Sequence, residues 1–522
     1  MSVSTEFFAC YLTHSQRNRV FLLLALALFL TSCKSSKPAS SFPEPSVSDF
    51  IILQLNDVYE ISPLQGGKVG GLARVATVRK QLLQECPVVI TVLAGDFLSP
   101  SLTGSLSTGT GDEKEKIAGK HMIETLNALP LDYATFGNHE FDIGEAALVK
   151  RISESEFIYT SANVNHLVGG KAATFFRKGM AVSQFEFISI PLPNDSILRL
   201  GLIGVTLVFN QVDFVEYREP IQSFANIYAS IERSCDVVIG LTHLDRHQDQ
   251  QLAEAVPALP LIMGGHEHDD TLFTIGTTVI AKANANAKTV YIHRCKWKNG
   301  SLEVKSELQH ITDAIESDST VQAAIDKWDK IATEAVGAMG YDAKQEIGHT
   351  ANAWDGRESV IRHRQTNFGK LITEAMLYAD TTAVAAIINS GTIRLDDHLH
   401  GKIHQSDILR SLPFGGPIVH AEMMGTDLVR VLETGTTSNS GTGGYLQYSG
   451  VEKHNSQWLA NGAAIAPAEK YAVVMPQFLA QGKESNLGFL ATLDIYSPII
   501  LTGVNGEEKN DIRDVVITYI RR

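Results

Sequence analysis

Asn138, His139, Glu140 and Asp142 are released within five positions, directly after the run Tyr133-Ala134-Thr135-Phe136-Gly137. The run reads as a buried strand, and polar groups at the end of such a strand sit where a rigid scaffold meets a loop. Asn138 offers a carboxamide oxygen of the kind a metal ion accepts. His139 can donate a proton to an oxyanion, and Asp142 can hold that imidazole by its other nitrogen. A tight turn opening a capped helix uses the same residue types, so the company this stretch keeps decides its meaning.

Four more apolar runs end in the same way. Phe50–Leu55 finishes in Asn56-Asp57-Val58-Tyr59, and 88–94 in Gly95-Asp96. Residues 236–241 lead into Thr242-His243, and 261–263 into Gly264-Gly265-His266-Glu267-His268. Helical stretches at 71–85 and Lys120–Ala128 separate several of them, as an α/β layer architecture requires. One such ending is weak evidence, but five in one register predict ligands converging from several strand ends. Two divalent cations roughly 3.5–4 Å apart hydrolyse a phosphate ester well, because together they polarise it, lower the pKa of water and neutralise in-line charge. They need a shared carboxylate with oxygen or imidazole donors around each ion. Asp57, Asp96, Asn138, His243, His266 and His268 supply that set.

The elements that must position these residues occupy 49–310, which ends in a β-hairpin around Asn299-Gly300. A helix over 318–336 lies in a connector, 311–340. A second domain, 341–522, has its own polar clusters. Arg357 and Arg362 precede Gln365-Thr366-Asn367-Phe368-Gly369, which opens a helix running to about residue 378. Asn389-Ser390-Gly391-Thr392-Ile393-Arg394 follows the apolar run 383–388, and Pro413-Phe414-Gly415-Gly416, Phe478 and Gly482-Lys483-Glu484-Ser485-Asn486 come later. Singly, each of these is ordinary turn chemistry. His398, His400 and His404 read as exposed loop side chains.

With 522 residues the chain is too long for one core. A net charge of −14 argues against a nucleic-acid polymer as partner. The five cysteines match no zinc ribbon or redox pair, and Cys86 and Cys235 read as packed thiols. Residues 1–33 read as an export signal, with Arg17 and Arg19 before the short apolar segment 20–30. The segment ends in Leu30-Thr31-Ser32-Cys33, which resembles a bacterial lipoprotein cleavage box with Cys33 as the lipidated residue. The Ser/Pro-rich stretch 34–48 follows as a flexible tether. An exported, periplasmic or cell-surface lipoprotein is the expectation, held to the membrane by its lipid alone.

In order, Asp-x-Tyr, Gly-Asp, Gly-Asn-His-Glu, His and Gly-His-x-His resemble the calcineurin-like metallophosphoesterase superfamily. Asn367 with its neighbours, Asn389 to Arg394 and Pro413-Phe414-Gly415-Gly416 resemble the C-terminal domain of the 5′-nucleotidase family. The resemblance implies a two-domain α/β fold. A four-layer metallophosphoesterase β-sandwich flanked by helices is joined by a helix to a C-terminal α/β substrate-binding domain. It implies two divalent metal ions (Zn, Mn, Co or Fe), bridged by Asp96. Asp57 and His268 then bind the first ion, and Asn138, His243 and His266 the second. His139, oriented by Asp142, stabilises phosphoryl oxygens or protonates the leaving group. Arg357, Arg362 and Arg394 match phosphate or ribose clamps, Asn389 a base contact, and Phe414 and Phe478 two rings between which a nucleobase stacks. Glu484 stands where the family has an aspartate holding ribose hydroxyls. Tyr59 replaces the family's usual histidine and either coordinates or packs against the site. The implied activity is release of phosphate from nucleoside monophosphates. Cyclic-nucleotide phosphodiester cleavage, UDP-sugar hydrolysis, and a catalytically weak nucleotide-binding lipoprotein remain open.

Overall fold

Strand β1 (Phe50–Leu55) is buried from end to end, which explains its apolar sequence. Successive strand residues face opposite sides of a sheet, so a strand covered on both sides has to be apolar throughout. Phe50 and Ile52 join the core between two sheets, while Ile51, Leu53 and Leu55 join the core beneath the helices. Gln54 is the exception. Its amide donates to the carbonyls of Gly264 (3.0 Å) and Ala281 (2.9 Å) and bonds one sheet to the other.

The computed structural model describes residues 48–522 except 110, 112–113, 210, 493–495 and 503–507. The leader with Arg17, Arg19 and Cys33, and the tether to residue 47, lie outside the described residues. From Ser48 to Arg522 the chain forms one compact unit.

Strands β2 (Val89–Ala94), β3 (Tyr133–Thr135) and β4 (Ile158–Tyr159) extend the first sheet from β1 in parallel. The second sheet begins with β5 (Phe185–Pro191) antiparallel to β6 (Ile197–Thr206). Parallel strands β7 (Val237–His243) and β8 (Leu261–Gly264) follow. The edge pair β9 (Thr271–Ile275) and β10 (Thr278–Lys282) completes it, β10 running parallel to β8. Hairpin β11 (Thr289–Lys298) and β12 (Ser301–His310) then returns to the first sheet, β11 pairing with β1. Helix α1 (Leu72–Glu85) covers the outer face of the first sheet, and α2 (Pro220–Ile231) and α3 (Arg246–Ala255) that of the second. Helix α4 (Ser319–Ala338) lies over the first sheet beside α1, capped by Asp318, whose carboxylate accepts the N–H groups of Thr320 and Val321. The result is a four-layer sandwich of helices, sheet, sheet and helices.

A five-stranded sheet follows, in the order Leu446–Ser449, β13 (Ala385–Asn389), Lys470–Pro476, Ile418–Met424, Tyr496–Pro498. Helix α5 (Asn367–Ala379) and Ile512–Ile520 cover one face, and Gly425–Glu433 the other.

Two features depart from the sequence reading. Strands β5 and β6 carry no assignment there, because Glu186 and Ser189 interrupt the apolar residues of β5, and Arg199, Gly201 and Gly204 those of β6. Gly204 is where β6 crosses the end of β4, and a Cβ would fall 2.2 Å from the Thr160 carbonyl oxygen. His398–His404 is a strand and not a loop, paired antiparallel with Glu346–Asp355. Leu399 and Ile403 point inward and the three histidines outward, so the period of two is present but masked by polar residues. Cys86 and Cys295 are buried thiols, and Cys235 is half-buried. Among the described residues no helix is long and apolar enough to cross a membrane.

Candidate metal centre

The ends of β1, β2, β3, β7 and β8 converge between the two sheets of the sandwich. Asp57, Asp96 and His243 form a fully buried group whose ligand-type atoms lie within 4.8 Å of one another. Each carboxylate uses one oxygen for scaffolding and turns the other inward. Asp57 Oδ2 accepts from Asn56 Nδ2 (2.8 Å) and the His266 N–H (2.8 Å), leaving Oδ1 facing the site. Asp96 Oδ1 accepts the His139 N–H (2.8 Å), leaving Oδ2 facing His243 Nε2 at 3.2 Å.

His243 donates from Nδ1 to the Ala94 carbonyl at 2.7 Å, so Nε2 carries a lone pair. That atom is fully buried and makes no hydrogen bond. It faces Asp96 Oδ2 and, at 3.9 Å, Asp57 Oδ1. A lone pair held against two carboxylates calls for a cation. Where a proton alone answers, burial opposes the charge but Asp96 and Asp57 outweigh it and draw the imidazole up to about 9. The donor set thus fits a divalent metal ion. His268 Nε2 lies 3.3 Å from Asp57 Oδ1, and the His266 ring packs edge-on against His243 at 5.5 Å between centroids. Burial, then His243 and Lys282, hold His266 well below the usual histidine range, so it is a neutral donor. Asn138 is buried at the start of the 3₁₀ turn His139–Ile143.

The backbone is bent to achieve this. Asp57 (φ 52°), Asp96 (57°), His266 (93°) and His268 (61°) all occupy the left-handed region. Such residues cost on the order of 1–3 kcal/mol each and cluster at functional sites. Glycines make the close approach possible: a Cβ on Gly137 would fall 2.1 Å from Asp96 Oδ1.

Tyr59 places its hydroxyl among the first-ion candidates, 3.0 Å from Asp96 Oδ2, 3.0 Å from His268 Nε2 and 3.5 Å from Asp57 Oδ1. Burial, then Asp96 and Asp57, push this phenol well above its usual range.

Two charged residues that the sequence reading left without a role grip the ligand loops from behind. Glu140 is fully buried and accepts the N–H groups of Asp96 (2.9 Å), Phe97 (2.7 Å) and Leu98 (3.1 Å), and that of Gly137. It ties the β2 and β3 loops together. Lys282 donates to the carbonyls of Leu244 (2.7 Å) and Gly265 (2.9 Å), beside His243 and His266. Asp249 (2.9 Å) and Glu267 (2.5 Å) balance its charge. A lysine ending an apolar strand was the available signal for this clamp.

His139 Nδ1 is 2.6 Å from Asp142 Oδ2. Arg394, from the segment after β13, lies against the same ring, with Nη2 2.9 Å from Nε2 and 3.4 Å from Nδ1. Glu358 joins Arg394 (3.2 Å) to Arg362 (2.6 Å). Although burial opposes ionisation, Arg362, His268 and Arg394 hold the Glu358 carboxyl below its usual range. Arg357 instead forks onto Asp355 at 3.0 and 2.8 Å and stays half-exposed. Asn389 Nδ2 donates to Glu484 Oε2 at 2.7 Å, so these two candidates touch each other. Phe414 and Phe478 are 54% and 43% exposed, unusual for phenylalanine, and Phe414 shares a cavity of about 170 Å³ with Asp142. Among the described residues neither ring contacts another aromatic.

Residues 50–270 match the family described as calcineurin-like phosphoesterase, and residues 346–491 match the 5′-nucleotidase C-terminal domain. The trifunctional nucleotide phosphoesterase protein YfkN of Bacillus subtilis is 24% identical over 459 residues, 78% of this chain. This chain spans only 29% of that longer relative. A 5′-nucleotidase of Vibrio cholerae is 23% identical over 524 residues, covering 88% of this chain and 90% of its own. The crystal structure of a 5′-nucleotidase precursor from Thermus thermophilus shares the fold. It has a TM-score of 0.69 at 20% identity, over 90% of this chain and 96% of that one.

Proposed function

From the premise that this chain belongs to the 5′-nucleotidase family of calcineurin-like phosphoesterases, and is a metal-dependent phosphoric ester hydrolase, we propose that it releases phosphate from nucleoside monophosphates at a dinuclear site. The observation that carries the reading is the buried Asp57, Asp96 and His243 group, with a lone-pair imidazole nitrogen turned onto two carboxylates. Bound ions would be held by Asp57, His268 and Tyr59 on one side and Asn138, His243 and His266 on the other, with Asp96 shared. When present they supply Lewis acidity and a nucleophilic water at neutral pH.

The chain's own residues do the rest. Asp142 fixes the His139 ring, and Arg394 holds a guanidinium at Nε2, where the phosphoryl oxygens of an ester would come. His139, its ring set by Asp142, is placed to deliver a proton to the leaving oxygen. The exposed rings of Phe414 and Phe478 suit a nucleobase, and the Asn389–Glu484 pair suits base and ribose polar groups. Cys33 as a lipidated first residue after export is part of the same proposal, on the strength of Leu30-Thr31-Ser32-Cys33.

The test is phosphate release by residues 34–522, stripped and reloaded with Mn²⁺, Zn²⁺, Co²⁺ or Fe. The substrates are AMP, UMP, a 2′,3′-cyclic nucleotide, UDP-glucose and para-nitrophenyl phosphate. Preference for a monophosphate is expected, with Asp96→Asn inactive and depleted of metal. Turnover of para-nitrophenyl phosphate alone would discard the nucleotide. Tight nucleotide binding with no turnover under any metal would discard the enzyme.

A further inference from the structure

The two imidazoles that flank Asp57 and Asp96 are keyed from different parts of the chain. His243 is held at Nδ1 by the Ala94 carbonyl, within the phosphoesterase layers. His268 is held at Nδ1 by Asp396 Oδ2 at 3.1 Å, from the segment after β13 and 128 residues further along. A ring that donates Nδ1–H to a carboxylate presents its Nε2 lone pair, and it is a stronger donor for the charge balance.

Asp396 is built into this position. Its side chain is only 10% exposed, and its Oδ1 accepts the Glu358 N–H at 3.0 Å. Lys288 donates to its carbonyl at 3.0 Å and lies 3.9 Å from Oδ2, fixing the turn from the phosphoesterase side. The residue sits at φ 44°, in the left-handed region. The same turn sends Arg394 to His139, so three residues reach both sides of the centre. A neutral side chain of the same shape would fill the space but would balance neither Lys288 nor a charged His268.

We propose that Asp396 is the outer carboxylate of the metal ligand His268, so that one of the two ions is bound tightly only with a residue lent by the C-terminal half. The inference rests on the reading of His268 as a ligand. It makes the centre asymmetric: the ion at His268 depends on the docked C-terminal segment, and the ion at His243 does not. Asp396 is a positioning residue and touches neither substrate nor metal.

The experiment is a Mn²⁺ titration of the metal-stripped full chain by calorimetry, with chelator competition to separate the two sites. The variants are Asp396→Ala, Asp396→Asn, Gln65→Ala and His268→Ala. Gln65 donates to Asp397 Oδ1 at 2.6 Å, so its removal breaks a neighbouring cross-chain contact without touching His268. Asp396→Ala is expected to weaken one Mn²⁺ by about 10–100-fold and leave the other unchanged. Asp396→Asn, which keeps the shape and an acceptor oxygen, is expected to weaken the same ion less, and it carries the test if the alanine variant does not fold. Gln65→Ala should bind both ions as the parent does. Unchanged affinities in both Asp396 variants would overturn the proposal, since the contact would then be a latch only. Equal weakening in Gln65→Ala would overturn it too, because docking and not the carboxylate would be responsible. If His268→Ala retains both ions at parental affinity, the reading of His268 as a ligand fails first.

Discussion

Arg394 Nη2 lies 2.9 Å from His139 Nε2, although the two residues are 255 positions apart in the chain. The contact sits beside a carboxylate-lined centre, and the guanidinium is held there by Glu358 at 3.2 Å. A fixed cation at this point offsets the charge that accumulates on phosphoryl oxygens during transfer.

Arg394→Ala is therefore expected to lower kcat/KM by about 10²–10³-fold, in the range found for a single transition-state donor. The loss should be similar for a nucleotide and for para-nitrophenyl phosphate, because both present the same phosphoryl group. Arg394→Lys should recover little, as an ammonium cannot bridge Glu358 and the substrate at once. Parental kinetics in the alanine variant would remove Arg394 from the reaction.

The strand-end pattern made the metal candidates readable, because a buried strand forces its polar residues to the end, where they declare themselves. Asp57, Asp96 and His243 were visible for that reason. Glu140 and Lys282 were harder. Their charges point away from the centre onto backbone groups of other loops, and no local spacing encodes a partner so distant in the chain. Asp396 was hidden for a similar reason, as its partner His268 lies 128 residues earlier, in the loop after β8. Strand β6 was missed because close approach demanded glycine where a strand pattern asks for a branched side chain, and β5 because most of its residues are only partly buried.

The placement of the Tyr59 hydroxyl makes its role testable. Atoms about 2.1 Å from a common ion stand roughly 3.0–3.4 Å from one another. Its hydroxyl is 3.0 Å from Asp96 Oδ2, 3.0 Å from His268 Nε2 and 3.5 Å from Asp57 Oδ1, and His268 Nε2 is 3.3 Å from Asp57 Oδ1. Three of these four separations match the edges of one coordination shell, and the two at 3.0 Å from the hydroxyl are equally hydrogen-bond lengths. Tyr59→Phe keeps the ring and deletes only the oxygen, so it should weaken one ion by at least about tenfold, whereas Tyr59→His should retain both. Equal metal content in parent and Tyr59→Phe after dialysis against chelator would make Tyr59 a packing residue.

His293 gives a pH dependence of known sign. It is fully buried, with Nε2 2.8 Å from Gln54 Oε1 and Nδ1 2.8 Å from Ser306 Oγ, and burial lowers it to about 3. Unfolded, it takes up a proton near pH 6.5; folded, it does not, so its contribution falls as pH drops from about 6.5 toward 3. Between pH 7.5 and 5.5 that amounts to about 1.4 kcal/mol. His293→Gln keeps a donor and an acceptor but does not titrate. Urea unfolding should show the stability loss over this interval shrinking by about that amount in the variant. An identical pH slope would mean that His293 is protonated in the fold.

Phe414 separates recognition from chemistry. A phenylalanine side chain that is 54% exposed loses apolar burial in the free protein, and its cavity with Asp142 lies beside the centre. A ring held in that way can stack on any base, worth about 1–3 kcal/mol. Phe414→Ala should then raise KM for nucleoside monophosphates by about 5–150-fold. para-Nitrophenyl phosphate should be nearly unaffected, since it reaches the metals and Arg394 without needing the same platform. The stability of the fold should barely change, because a half-exposed ring contributes little to a core. Equal losses on both substrates, together with a lower unfolding midpoint, would assign Phe414 to packing between the two halves of the chain.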